Sequence, residues 1–582
     1  MTPSVEEPPG TEGPATGNPT PDGKPDAGSP SDGGSRPDAG SPPDAGSPPD
    51  AGVPPDTSFR FPPLQTEVPL YELTIAPDAL RKILDNPRED IEAPATFTYK
   101  GKSQPVTVRL RGSSARDFPK KSWRIEFPKG VDFDGRGKFN LIAEYQDSTL
   151  MAEKLGYDLL RAMGVPAPKA SYVRLNINGV FEGVYLDLER IDKDFLDNHG
   201  FDRDGTIYRC GGKDCEMKPW RTDYQADWDK ETNESEGKED IRALVDIINH
   251  TPEPDFVRVL GQHLELEYYL RTMVGDALIG NFIVEDSRSY IVQDKATGRW
   301  TYLPWDLNNA DSTWWPSYGL DQKPTYDHPL FNFSLTDAWV QKLYDRRLAE
   351  TPGLLPTFSN LNTRIVFHPE LRQRLVGLVD RALTELYDPA VILPRIDAMH
   401  ALIEPYVAKD PYINRADEYR PDGMAQFRAG LPYLKKFVVQ RTDFIRLQLK
   451  RFRTYPLGLA ISAFDPRAGW VELHNYGTTS VSTSGMVITK DLRRALTHNV
   501  PARTLAPGQT VRFTAAELGI TVTPNAGTVV TGGAPGFPSE GELGLFDGKS
   551  MLGVLDVFFY GELPAGRFYA RNAQSPLRWE IH

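Results

Sequence analysis

The chain has 582 residues, which suggests roughly three or four domains at most, and its 39% hydrophobic and 10% aromatic residues are enough to bury sizeable cores. Its formal net charge of −14 argues against a nucleic-acid or anionic-membrane partner, because neutralising phosphates takes clustered Lys and Arg. No run of about 18 apolar residues occurs, so no transmembrane helix is expected.

Residues 1–58 are Pro, Gly, Asp and Ser with almost nothing apolar, and Pro-Asp-Ala-Gly recurs from Pro25, Pro37, Pro43 and Pro49. Such a segment cannot offset its chain entropy by burial, so it is expected to be disordered and to act as a spacer. No apolar leader follows Met1. The spacer nonetheless points to an extracytoplasmic protein, secreted or a cell-envelope lipoprotein, whose leader or anchor is missing from this sequence.

A sheet-rich lobe is expected over about 59–235. Alternation predicts strands at 71–75, 95–99, 105–110 and 122–127, with Trp123, Ile125 and Phe127 on one face. Helices are predicted at 79–84 and 150–163, the second stopped by Gly164 and Pro166. Strands 170–176 and 180–189 flank an Asn178-Gly179 turn, a strong hairpin signal. The first lobe thus reads as a mostly antiparallel sheet with one principal helix. Cys210 and Cys215, the two cysteines, can close a small disulfide or stay as free thiols, and they lack the partners for a zinc site.

A helical lobe over about 236–452 is predicted to hold helices at 239–249, 255–279, 336–350, 369–386, 389–409 and 423–451. Two short strands, 289–293 and 300–304, interrupt it. Short strands at regular spacing over 457–582, separated by Gly, Pro and Asn turns, predict a β-sandwich.

Three stretches carry possible chemistry. In Arg111-Gly-Ser-Ser-Ala-Arg116, small residues let the backbone approach a phosphate, although an ordinary hairpin turn has the same composition. Lys120, Lys121 and Arg124 put cations on the following strand, either into a cleft or along a basic edge. Glu153 lies on the next helix, where it orients Lys121 or is simply solvated. Asp306 sits in Pro304-Trp-Asp-Leu-Asn308, where a carboxylate among apolar groups either holds a divalent metal, with Asn308, Asn309 and Asp311 as further oxygens, or caps a turn. In Glu285-Asp-Ser-Arg288, Asp286 suits a general base or second metal ligand and Arg288 a phosphate contact; a salt-bridged loop is the alternative.

Taken together, Arg111 to Arg124, the Glu153-Lys-Leu-Gly-Tyr-Asp-Leu159 helix, Val165-Pro-Ala-Pro168, Tyr172 to Asn176, Gly183-Val-Tyr-Leu186 running on to Glu189, Ile191 to Phe195, and Pro304 to Leu307 resemble the CotH family of spore-coat-protein-H-like secreted kinases. The resemblance covers roughly residues 60–450. It implies an α+β, two-lobed, atypical protein-kinase-like fold over 59–452. It also implies transfer of the γ-phosphoryl group of ATP, with Mg²⁺ or Mn²⁺, to protein hydroxyls. On that reading Lys121, or second to it Arg124, binds phosphates beside Arg111, Gly112, Ser113 and Ser114. Glu153 orients the lysine, Glu189 lies near the adenine, Asp306 and Asn308 hold the metal, and Asp286 and Arg288 complete the site. One departure stands out: the family's Asn-aromatic-Asp falls on Asn281-Phe-Ile283, so either Asp286 takes over or the catalytic carboxylate is lost. Two alternatives follow, an inactive kinase-fold adhesion protein and an ATP-dependent transferase of another group. The last part, with Gly469 to Gly477, Ser484 to Thr489, Leu505 to Gly508 and Gly541 to Phe546, resembles a lamin-tail domain, an immunoglobulin-like sandwich, which implies binding to an envelope component.

Overall fold

Seven strands, some with apolar residues at alternate positions, close into a barrel in the computed structural model. It describes residues 58–582 apart from 211–216, 218–227, 282–288, 308–325, 328, 332–333, 336–348, 350–357, 418–419, 421, 455–456 and 523–533. The disordered tail expected over 1–58 and the helix expected at 336–350 therefore lie almost wholly outside the described residues.

The barrel strands are β1 Leu70–Ile75, β2 Ala93–Tyr99, β3 Lys102–Leu110, β4 Trp123–Glu126, β5 Lys138–Ile142, β6 Ala170–Ile177 and β7 Val180–Glu189, in the order β1-β2-β3-β4-β5-β7-β6. All neighbours are antiparallel except β1 and β6, whose parallel pairing closes the ring. The expected antiparallel sheet is thus rolled up, and β5, which alternation did not reveal, completes it. Inside, Tyr71, Phe97, Phe133 and Phe139 meet edge to face or tilted at 5.1 to 6.1 Å, the geometry that ring quadrupoles favour. The predicted hairpin turn is present: Asn178 and Gly179 both have positive φ, 52° and 78°, and the Asn178 amide also binds Ile75 on β1.

A second sheet, β8 Thr206–Cys210, β9 Trp228–Lys230, β10 Ser289–Gln293 and β11 Trp300–Pro304, runs in the order β11-β10-β8-β9. The described helices are α1 Pro77–Asp85, α2 Ala152–Ala162, α3 Lys193–Asn198, α4 Glu239–His250, α5 Phe256–His263, α6 Leu266–Ile279, α7 Asn360–Phe367, α8 Pro369–Glu385, α9 Pro389–Val407 and α10 Met424–Phe452. Where one helix was expected over 255–279 there are two. Leu264 turns extended (φ −124°, ψ 139°) to bridge Trp300, and the Glu265 N–H donates to the Trp300 carbonyl. The unpredicted α7 starts at Ser359, whose hydroxyl accepts the Asn362 N–H. A single apolar core runs from Phe59 to Leu449 through barrel and helices alike. No described helix is long and apolar enough to cross a membrane.

After residue 457 the described elements are strands, apart from one 3-10 turn at Leu492–Arg494. A five-stranded sheet (Thr510–Thr514, Trp470–Asn475, Leu459–Asp465, Tyr569–Arg571, Trp579–Ile581) shares one core with a four-stranded sheet built on Gly541–Phe546 and Val554–Tyr560. This part is packed onto the helices. Arg364 of α7, fully buried, stacks 3.5 Å from the Phe256 ring and 4.5 Å from Phe559, and donates to the Ile248 and Thr251 carbonyls and to Glu253.

Candidate active site

Strand alternation decides which side chains reach the site. Leu110, Trp123, Ile125, Phe139 and Leu141 point into the barrel, so Arg109, Arg111, Ser122, Arg124, Asn140 and Ile142 share its outer face. The register puts Arg109 opposite Arg124 and Arg124 opposite Asn140, and the Arg111 N–H donates to the Ser122 carbonyl. Against this face stands the second sheet, contributing Arg209, Cys210, Ser289, Tyr290, Trp305 and Asp306. Between them lies a cavity of about 850 Å³, within the range typical of ligand sites. Seven cationic and four acidic side chains line it, so its field favours an anion.

The Arg111-Gly112-Ser113 loop forms one lip. Gly112 has φ 99°, a conformation that other residues rarely adopt. The loop is tied by Arg116 to Asp90, both in the cavity lining, and by Arg88 to Asp117. Arg124 is short of countercharge: its nearest acid is Glu126 at 3.4 Å. Burial, together with the charges of Arg190 and Arg109, pulls its guanidinium below the usual range. Arg190 in turn reaches Asp192 and Glu231 only at 3.6 and 3.9 Å. An anion entering here would relieve this crowding of positive charge.

The carboxylates come from α2 and from the turn after β11. Asp147, 1% exposed, accepts the N–H groups of Thr149, Met151 and Ala152 and so closes the N-terminus of α2. In the first turn of the helix lies Glu153, three residues before Gly156. A Cβ at Gly156 would come 2.8 Å from the Leu307 side chain, so this glycine lets the helix press against the residue after Asp306. Asp306 itself has φ 60°. The result is a group in which Glu153 shares a hydrogen bond with Glu144 and feels the charges of Asp306 and Arg111. Among the described residues Arg111 makes no ion pair, and Glu153 Oε2 has no hydrogen-bond partner.

Burial pushes the Glu153 carboxyl up to about 7. Asp306 adds to the rise, while the Glu144 hydrogen bond and Arg111 oppose it. The folded chain then holds a proton that the unfolded chain releases near 4.5. The stability from this group is complete below pH 4.5 and declines as pH rises to about 7, by roughly 3 kcal/mol. Asp276, also raised to about 7 by burial, acts in the same direction. Denaturant unfolding at pH 5 and pH 8 should show Glu153→Gln gaining about 2–3 kcal/mol on the wild type between those values, with Asp276 common to both chains. Parallel pH profiles would refute the buried proton.

Of the residues singled out from sequence, Arg111, Gly112, Ser113, Arg124 and Asp306 line the cavity, and Ser114 opens the helical turn behind Ser113. Lys121 does not line it. It has the parity of Trp123, and its ammonium turns back to donate to the Arg116 and Phe118 carbonyls, both at 2.7 Å. The expected pairing of Glu153 with Lys121 is therefore absent; Glu153 instead shares a hydrogen bond with Glu144 and feels the charge of Arg111 without pairing with it. Glu189 also faces elsewhere. It accepts from His199 at 2.8 Å and from the Lys169 N–H at 3.0 Å, and these contacts hold its carboxyl below the usual range despite burial. The next residue, Arg190, is the one that lines the cavity. Asp286, Arg288, Asn308, Asn309 and Asp311 lie outside the described residues. Arg109, Arg190, Arg209 and Glu144 were not anticipated. Cys210, in the cavity wall, is disulfide-bonded.

Among the described residues no group of three or more His, Cys, Asp and Glu could hold a metal. A hard carboxylate such as that of Asp306, lining the same cavity as a basic lip, is a donor that suits Mg²⁺, which keeps waters and shares phosphate oxygens.

Comparison with known proteins bears on the same region. The sequence pattern described as "CotH kinase protein" matches residues 108–445. Inner spore coat protein H of Bacillus subtilis (strain 168) is 28% identical over 374 residues, covering 62% of this chain and 95% of that protein. Spore coat protein homolog 1 of Rhizopus delemar is 24% identical over 370 residues, covering 60% of this chain and 57% of that protein. Among solved structures, the Helicobacter pylori proinflammatory kinase CtkA aligns over 62% of this chain and 92% of its own, at 9% identity and a TM-score of 0.22.

Proposed function

This chain belongs to the CotH kinase family, and on that premise we propose that it transfers the γ-phosphoryl group of ATP to a protein hydroxyl within the basic cavity. One observation supports this above the others: the cation-lined lip at Arg111 and the carboxylate of Asp306 face one cavity large enough for a nucleotide. Arg111, with Arg124 behind it, neutralises the phosphates, and the backbone of Gly112, Ser113 and Ser114 approaches them. Glu153 orients Arg111 from the first turn of α2. Bound Mg²⁺ or Mn²⁺ would be held through Asp306, with Asn308 as a further oxygen, and would neutralise charge on the β- and γ-phosphates. The acceptor oxygen bonds to the γ-phosphorus as the bond from that phosphorus to the β–γ bridging oxygen breaks. ADP leaves, and the hydroxyl proton passes to a carboxylate, for which we assign Asp286; Arg288 steadies the phosphates. Catalysis of this kind is mostly positioning and charge neutralisation.

The setting is part of the same proposal. The Pro- and Asp-rich residues 1–58 serve as a spacer, 59–452 as the kinase part, and 457–582 as a lamin-tail-like, immunoglobulin-like sandwich contacting an envelope component. The disulfide at Cys210 supports an extracytoplasmic home. Incubating the chain with Mg²⁺ and ATP labelled on the γ- or the α-phosphate tests the reaction through autophosphorylation. Protein-bound label from γ alone is expected. Label from α would mean nucleotidyl transfer, and no label with no ATP binding in calorimetry would mean a kinase-fold binding protein.

A further inference from the structure

We propose that the buried Lys120–Asp410 pair is a positioning strut, by which the segment after α9 fixes the phosphate-facing wall of the cavity. The inference rests on reading that cavity as an ATP site. Lys120 and Asp410 are both 0% exposed and lie 290 residues apart, with Nζ 2.8 Å from Oδ2. The ammonium also donates to the Val184 carbonyl on β7 and stands 4.6 Å from the Tyr185 ring centre. Asp410 accepts three backbone N–H groups besides, from Val184 at 3.1 Å, Tyr412 at 3.0 Å and Ile413 at 3.1 Å. One carboxylate thus ties together the stretch leading into β4, strand β7 and the turn after α9. The approach is tight enough to need glycine: a Cβ at Gly183 would fall 1.9 Å from Asp410 Oδ2.

The same segment grips the neighbouring wall. Arg420, fully buried, donates to the Tyr145 and Asp147 carbonyls, both at 3.1 Å. That stretch carries the cavity residues Glu144, Tyr145 and Gln146 and the aspartate that caps α2. Lys120 lines the cavity, yet its ammonium is engaged by Asp410 and Val184. An ion pair this deep contributes little to stability beyond what an apolar pair would. What it does supply is a fixed position for the residues two and four places on, Ser122 and Arg124, and for Arg111 across the ladder from Ser122.

Two variants of the full chain, Lys120→Met and Lys120→Met/Asp410→Asn, separate positioning from support. The first leaves Asp410 its three backbone donors, and the second removes both charges and keeps an acceptor. Amide hydrogen exchange without nucleotide should quicken at least about tenfold over 111–124 and not over β1 and β2. In the folded variants, KM and Kd for MgATP should rise about tenfold or more, with kcat at saturating ATP changed less than about threefold. Unchanged exchange over 111–124, or unchanged ATP affinity, would overturn the strut. So would failure of both variants to fold, since the pair would then be an element of stability. If the wild type itself binds no ATP, the nucleotide reading fails and the exchange result alone decides the strut.

Discussion

Arg111→Met should weaken MgATP binding about 30-fold, whereas Lys121→Met should change it less than about fivefold. Arg111 stands at the cavity lip with no ion pair among the described residues, facing the carboxylates of Glu153 and Asp306. A guanidinium held this way is available to phosphate oxygens, and a charge-assisted hydrogen bond is worth about 2 kcal/mol, or a factor of about 30. Its removal also leaves two acids facing an incoming triphosphate without their cation, which pushes the loss upward. Lys121 is differently employed. Its ammonium closes the back of the 111–118 loop through two carbonyls, so its loss removes neutral-acceptor bonds worth about 1 kcal/mol of loop order. Calorimetric titration of the two variants with MgATP decides between them. A large loss at Lys121 with none at Arg111 would return the phosphate role to the lysine and demand a rearranged loop in the bound state.

The lysine shows where sequence reading stopped short. Trp123, Ile125 and Phe127 were legible as one buried face, and strict alternation puts Lys121 on that side and Ser122 and Arg124 on the other. The family motif drew attention to the lysine pair, but parity carried the better information. Glu189 and Arg190 repeat the lesson at the end of β7, where one residue binds His199 and the next reaches the cavity. Elements with strong local signals were legible: the Asn178-Gly179 hairpin, α2 up to Gly164, and Asp306 after its strand. What escaped depends on partners distant in sequence. The barrel closes through β1 against β6, and β5 shows little alternation because all but Lys138 is buried. The helix over 255–279 breaks because Leu264 finds Trp300. The Lys120–Asp410 pair joins residues no local pattern connects.

Asp306→Asn should lower kcat/KM for phosphoryl transfer about 1000-fold, close to 4 kcal/mol of transition-state stabilisation, while leaving the fold intact. Asparagine is the informative choice because of the backbone. Position 306 has φ 60°, a left-handed conformation that Asn and Asp tolerate better than other side chains. The substitution therefore removes charge without adding strain, whereas alanine would confound the two. Leu307 remains seated against Gly156, so α2 and Glu153 should stay in place. The loss follows from the role proposed for the carboxylate: a neutral amide holds a divalent cation poorly, and the charge developing across the phosphates goes uncompensated. A second readout needs no activity. Asp306 is one of the charges raising the Glu153 carboxyl, so its neutralisation should move the titration of Glu153 downward, measurable by carbon NMR of labelled glutamate. Full activity in Asp306→Asn would remove this residue from the metal role. A Glu153 titration that does not move would separate the two carboxyls and dissolve the candidate site itself.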